Sequence, residues 1–271
     1  MAKKMPAPSA SLAAAACAVL SEPDPGEKVA RTLASAEDWR AGDLTASASP
    51  IAMPVRPARP ASPQLLAPRH MPRRRSAGVG GRIALLHAVA HIELNAIDLA
   101  WDLIGRFAGL DWPPAFFDDW VAVAEDEARH FTMIEARLNE FGAGYGELPA
   151  HDGLWQAAMA TAHDPLARLA VVPMLLEARG LDVTPAMIAR LRRAGDAASA
   201  AALEIIMDEE ISHVAAGCRW FSHLCRERGL PETETWRALV AEHYGGAPKP
   251  PFNEAARRAA GMAPEFYEYS A

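Results

Sequence analysis

The stretch VAVAEDEARHFTMIEARL, residues 121–138, scans as an amphipathic helix whose inward seam is interrupted by a glutamate and a histidine. Steps of four and three along the surrounding segment give Phe116, Trp120, Val123, Glu127, His130, Ile134 and Leu138 as the inward positions. All are apolar except the two neighbours in the middle. The same walk near the end of the chain gives Leu203, Ile206, Glu210, His213, Gly217, Trp220 and Leu224, again with one Glu-x-x-His on an apolar stripe. Two further helical segments carry a lone glutamate on the seam. One reads Leu86, Ala90, Glu93, Ile97, Ala100, Ile104; the other reads Leu166, Ala170, Pro173, Glu177, Gly180.

These four segments set the expected architecture: all-α, an up-down four-helix bundle over residues 81–230. The first helix is expected from about Arg82 to Ala108 and the second from about Pro114 to Phe141, entered through Pro113-Pro114. The third starts at Asp164-Pro165, kinks at Pro173 and ends near Gly180; a short helix capped by Thr184 with Pro185 at its first position follows. The fourth runs from Asp196 to about Arg228. Residues 1–46 read as an N-terminal helical segment, with Asp24-Pro25 opening its second helix. Residues 47–80 form a Pro/Arg-rich extended arm, SPIAMPVRPARPASPQLLAPRHMPRR, whose proline density admits neither helix nor sheet. Residues 231–271 are a C-terminal extension on the bundle, irregular from His243 onward around one short helix.

A buried ionised carboxylate without a partner is costly, and four facing one core also repel one another. The stripes carry no lysine or arginine to neutralise them. Metal cations would. Residues three apart share a helix face, so one helix can offer a Glu and a His to the same ion. Oxygen-rich ligands with one imidazole per metal suit iron or manganese better than a structural zinc. The spacing repeats, with 34 residues from Glu93 to Glu127 and 33 from Glu177 to Glu210, as a symmetric two-metal site requires. In a chain with this many glutamates and histidines, chance alone yields roughly one Glu-x-x-His, so a single match means little. Here the two matches both fall on seams. The alternative is a bundle with a buried polar network and no metal. Asp126 and Glu209, each just before a candidate ligand, are candidate acceptors for the second N–H of the histidines. His87 and His91 lie off the Glu93 stripe and read as partly exposed or satisfied within the core.

The motifs HIELNAIDLAWD, EDEARHF, EARGLD and DEEISHVAAG, with the KPPFN tail, resemble the DUF455 family, and the ligand order resembles the ferritin-like di-iron carboxylate superfamily. The resemblance implies two iron ions, with manganese or a mixed pair also open, held by Glu93, Glu127, His130, Glu177, Glu210 and His213. Glu127 and Glu210, or related carboxylates, would bridge. The implied activity is an oxygen-activating oxidoreductase of oxygenase or hydroxylase type. Its partners would be dioxygen, a small substrate of unknown identity and an electron-donor protein. Trp101, Trp120, Phe131 and Trp220 are candidate apolar walls. The alternative readings are an iron-binding, ferroxidase or peroxide-handling protein without an organic substrate, and an RNA-directed hydroxylase. Ala100 stands where ferritins often carry a tyrosine, and three cysteines cannot build the four-cysteine iron domain of rubrerythrins.

Composition bounds the rest. The chain has 271 residues, 51% of them hydrophobic, enough to bury a sizeable core. A net charge of −7 argues against a nucleic-acid partner. The local exception is the arm, where Arg56, Arg59, Arg69, Arg73, Arg74 and Arg75 fall in a span without acids. Tying the arm to the acidic bundle is the preferred use of that charge. Cys17, Cys218 and Cys225 form no disulfide framework, which fits a reducing, cytoplasmic setting. No stretch reads as long and apolar enough to span a bilayer. Lys3 and Lys4 ahead of SLAAAACAVL resemble the start of an export signal. The run is short, mostly alanine and soon followed by acids, so it reads as a short surface helix. A homodimer is compatible with the sequence.

Overall fold

The computed structural model describes residues 10–46, 51–72 and 78–269. Its architecture is all-α; the only paired strands among the described residues are two short ones, β1 (Ala10–Ser11) and β2 (Leu44–Thr45), in parallel. The chain divides into two compact units, Met1–Pro60 with Ala96–Arg129, and Ala61–Asn95 with His130–Ala271. Two long helices, α3 (Val79–Arg106) and α4 (Pro114–Glu140), run through both without a break.

In the first unit, α1 (Leu12–Leu20) is capped by Ser11, and α2 (Pro25–Ala41) by Asp24, whose carboxylate accepts from the Glu27 amide at 2.9 Å. Of the arm, residues 51–72 are described and are mostly extended, as their prolines dictate; the expectation of no helix is corrected by a 3-10 turn at Pro68–His70, and residues 79 and 80 belong to α3. Arg59 of the arm lies 3.0 Å from the Asp98 carboxylate on α3, and Lys28 of α2 reaches the same carboxylate at 2.5 Å and the Ala58 carbonyl at 3.3 Å. Asp98 and Lys28 are both fully buried. Desolvation is the main force on each, pushing the Asp98 pKa up and the Lys28 pKa down; the ion pair and Arg59 oppose the shift of Asp98. A Cβ on Gly105 would run into Met53 of the arm and Ala16 of α1, so a bare backbone is needed there. Arg73, Arg74 and Arg75 lie outside the described residues, as do Lys3 and Lys4.

In the second unit, a short helix α5 (Gly153–Ala160) that sequence reasoning did not foresee precedes α6 (Pro165–Val171). Asp164 caps α6, its side chain accepting from the Leu166 amide. The expected break at Gly180 does not occur. A π-helical turn, Val172–Glu177, leads straight into α7 (Ala178–Arg193), and Pro185 sits inside that helix instead of opening a new one. Proline removes the donor for the carbonyl four residues back. At Pro185 the orphan is the Leu181 carbonyl, and the Asn253 side chain donates to it at 3.1 Å. Ahead of Pro173, the Trp236 indole donates to the Ala170 carbonyl. The extra residue of the π turn also shifts the helical face, so Gly180, inward by a regular count, is partly exposed.

The fourth long helix is α8 (Ala197–Arg228), capped by Asp196 and ended by Gly229 in the left-handed conformation at φ 65°. Beyond it come α9 (Glu232–Tyr244), α10 (Glu254–Ala259) and α11 (Pro264–Tyr267), so the C-terminal extension is more helical than its proline content suggests. The expectation that no stretch could span a bilayer is also corrected. Helix α3 passes on length and composition, but 78% of its most apolar window is buried inside the protein, the pattern of a core helix.

Helix α8 meets the π turn at very close range. A Cβ on Gly217 would lie 2.6 Å from the Pro173 Cβ, and a pyrrolidine ring cannot give way. Gly217→Ala is therefore expected to lower Tm despite the roughly 1 kcal/mol that alanine gains in helix propensity, because overpacking costs about 1–3 kcal/mol. Gly180→Ala, with nothing within 4 Å of the added methyl, is expected to raise it. Paired thermal melts check the contrast, and a stabilised Gly217→Ala would refute the close approach.

Candidate metal centre

Every α4 seam position from Phe116 to Leu138 is buried, and so is the α3 seam from Leu86 to Ile104. The polar interruptions are therefore held inside by the apolar residues on either side of them. Glu93 on α3 and Glu127 and His130 on α4 are at most 3% exposed, while Glu210 on α8 is partly buried. One donor atom from each of these four residues lies within 4.8 Å of every other. Glu127 sits on the α4 turn just ahead of His130, so the two share a face.

Each histidine has its Nδ1 close to a glutamate oxygen, from another helix for His130 and from its own helix for His213. His130 turns Nδ1 toward Glu93, 3.4 Å from its Oε2, and His213 turns Nδ1 toward Glu210, 3.6 Å from its Oε2. Both separations exceed the 2.7–2.9 Å of a charge-assisted hydrogen bond. The opposite edge of His130 is fixed: Nε2 lies 2.7 Å from Glu209 Oε2. A ring that donates Nε2–H to Glu209 leaves the Nδ1 lone pair facing the carboxylates. His213 is fully buried, its ring centroid 5.8 Å from that of His130.

The six sequence candidates thus divide. Glu93, Glu127, His130 and Glu210 converge. His213 adjoins them through Glu210 and His130 without belonging to the four, and neither does Glu177. Glu177 ends the π turn, partly buried, with Oε2 shielded from solvent. Of the two supporting acids, Glu209 reaches His130. The Asp126 carboxylate has Arg129, on its own helix, as one of its partners.

Three carboxylates this close cannot all be ionised without a counter-charge. At about 4 Å, each like-charged pair costs about 4 kcal/mol at an effective dielectric near 20. Protons or a multivalent cation resolve this. Hard oxygen donors with imidazole nitrogen fit iron or manganese, and the sulfur ligands typical of structural zinc are not part of the cluster. Cys218 and Cys225 play no part, since burial pushes their thiols up to about 12 and about 11 and keeps them protonated.

His87 and His91, one turn apart on α3, are both buried, so of the two readings, partly exposed or satisfied within the core, the second describes them. His87 Nε2 accepts from the Gly146 and Leu148 amides. The two ring nitrogens of His91 lie 2.8 Å from the Tyr145 hydroxyl and 3.0 Å from the His151 carbonyl. Tyr145 packs edge-on against Phe131, the neighbour of His130, at 5.5 Å between centroids. The i, i+4 histidine spacing was the visible signal; the loop that satisfies them was not.

Comparison with known proteins places the chain. An uncharacterized protein of Haemophilus influenzae is 41% identical over 189 residues, covering 68% of this chain and 66% of the relative. No solved structure matches. The model of a family described as a protein of unknown function, DUF455, matches residues 21–268, nearly the whole described length, so the chain belongs to the DUF455 family.

Proposed function

We propose that this chain is a ferritin-like di-iron carboxylate protein that activates dioxygen to oxidise a small organic substrate. The observation that carries the reading is the buried convergence of three carboxylates and an imidazole within 4.8 Å. The donor set fits iron, and the fully buried His213, beside Glu210 and 5.8 Å from His130 between ring centroids, supports a second, related half-site. Glu93, Glu127, His130, Glu177, Glu210 and His213 would hold the two ions, and the iron pair would supply the electrons that dioxygen takes up.

The chain's own groups have definable tasks. Glu209 holds the proton on His130 Nε2 and so keeps Nδ1 available as a donor. Phe131 and Trp220, 0% and 4% exposed, are apolar groups on the two Glu-x-x-His helices that keep bulk water from the helix interior. The carboxylates offer hard, anionic oxygens that favour the oxidised metal over the reduced one. The π turn beneath Glu177 is a feature frequent at functional sites and lets that residue adjust without unwinding α7.

Metal analysis of the full chain, purified anaerobically from cells supplied with iron and manganese, tests the reading. About two iron ions per chain, and oxygen uptake on exposure to air, are expected. Protein that folds, keeps all six residues and carries only trace metal would overturn it. Metal-loaded protein that takes up no oxygen would remove the oxidoreductase assignment.

A further inference from the structure

We propose a second ligand site, for a phosphate group on a small molecule, at the opposite end of α3 from its ion-paired half. A cavity of about 410 Å³ opens between the first turn of α3 and the last turn of α7. Arg82, Arg190 and Arg193 line it, over an apolar floor of Leu85 and Leu191, and none of the described lining residues is acidic. Its volume lies within the usual range for small-molecule pockets. Arg82 is eleven residues from Glu93 on a continuous helix, about 16 Å away along the axis, so this is not an extension of the metal centre.

Helix electrostatics does not account for this charge. Arginines in the last turn of α7 are favoured by the negative end of its dipole. Arg82 is the opposite case, because it stands in the first turn of a 28-residue helix, where the positive end repels a cation. Its compensation within the protein is shared with Arg137: both guanidinia lie over the Phe141 ring, at 4.9 and 5.4 Å from its centroid. Arg82 Nη1 lies 3.6 Å from Asp196 Oδ2, and Asp196 also serves Arg137 at 3.3 Å and caps α8 through the Ser199 amide. The Arg82 Nε is buried and has no hydrogen-bond partner among the described residues. Arg192, in the same turn as Arg190 and Arg193, does not line the cavity and pairs with Glu204 at 2.6 Å.

Three guanidinia lining one concavity concentrate positive charge there, which an entering anion would offset. Gly81, in the first turn of α3, lines the same wall and adds no side chain to it. Guanidinia bind oxyanions through paired N–H groups, and a dianionic phosphate uses this much positive charge better than a single carboxylate does. Leu85 and Leu191 would take an apolar portion of the same molecule.

Calorimetric titration of the full chain with inorganic phosphate at low ionic strength tests the site, with acetate as the competing single carboxylate. Saturable binding with a Kd on the order of 1 mM is expected. The double variant Arg190→Ala/Arg193→Ala, both exposed positions, should weaken it at least about tenfold. Arg192→Ala removes the same charge outside the cavity and should leave it unchanged. Metal content should be equal in all variants, which separates this outcome from the fate of the di-iron reading. Absence of saturable binding, an unaltered Kd in the double variant, or an equal loss in Arg192→Ala would each overturn the site. Tighter binding of acetate than of phosphate would overturn the phosphate assignment.

Discussion

Glu127→Gln is expected to fold, to keep its helical content and to hold almost no metal. The side chain is fully buried and one turn from His130, so the substitution keeps shape and hydrogen-bonding capacity while removing one negative charge from the cluster. That charge does two opposed things. Without a cation it repels Glu93 and Glu210, so its loss leaves the metal-free protein at least as stable as the parent. With a cation it is a ligand, and its loss weakens binding sharply. The two effects separate in a melt. Ferrous ion added anaerobically should stabilise the parent by about 4 kcal/mol at a thousand times Kd, and should leave Glu127→Gln where it was. Glu209→Ala makes an informative companion. Glu209 touches His130 without belonging to the converging four, so its removal should lower metal affinity by about 10–100-fold and leave stoichiometry intact. Full occupancy in Glu127→Gln would strike it from the ligand set.

The reasons this centre could be read from sequence, and parts of the fold could not, are physical. A buried glutamate at the exact pitch of an apolar seam conflicts with burial free energy, and the conflict is visible one helix at a time. Val123, Glu127, His130 and Ile134 occupy consecutive inward turns, and each is buried. Regular periodicity assumes a regular helix, however. The π turn at Val172–Glu177 adds a residue, so the same count misplaces Gly180 and leaves the relation of Glu177 to the other five undetermined by pattern. Pro185 misleads for a different reason. Its helix-breaking effect is offset by a donor 68 positions further on, Asn253, which no local window contains. Buried ion pairs such as Lys28 with Asp98 were invisible for the same reason, since each partner alone looks like a surface residue. Helix α3 is long and apolar enough for a membrane, and its burial inside the protein explains that composition.

Asp182→Ala is expected to be among the most destabilising single changes in the chain, by about 3–5 kcal/mol. Asp182 on α7 and Arg257 on α10 form a two-pronged pair, Nε to Oδ1 at 2.9 Å and Nη2 to Oδ2 at 2.7 Å, with both side chains at most 1% exposed. The same carboxylate accepts from the Asn253 amide at 2.9 Å. The Arg257 guanidinium lies over the Tyr267 and Phe252 rings, at 4.6 and 5.2 Å from their centroids, so it cannot swing out to water without unpacking the tail. Alanine at position 182 therefore strands a buried cation. The converse change, Arg257→Met, should cost less, because Asp182 keeps the Asn253 amide and has the half-exposed Arg179 3.5 Å away. The double change Asp182→Leu/Arg257→Met should recover much of the loss, since a buried pair is worth little more than apolar residues of similar volume. Denaturant midpoints of the three variants give the order directly. The consequence reaches the metal centre through the backbone, because Asp182 follows Glu177 by five residues on one uninterrupted helical path. A tail that anchors this path predicts weaker metal binding in Asp182→Ala and restored binding in the double variant. Equal metal affinity in all three would confine the tail's role to stability.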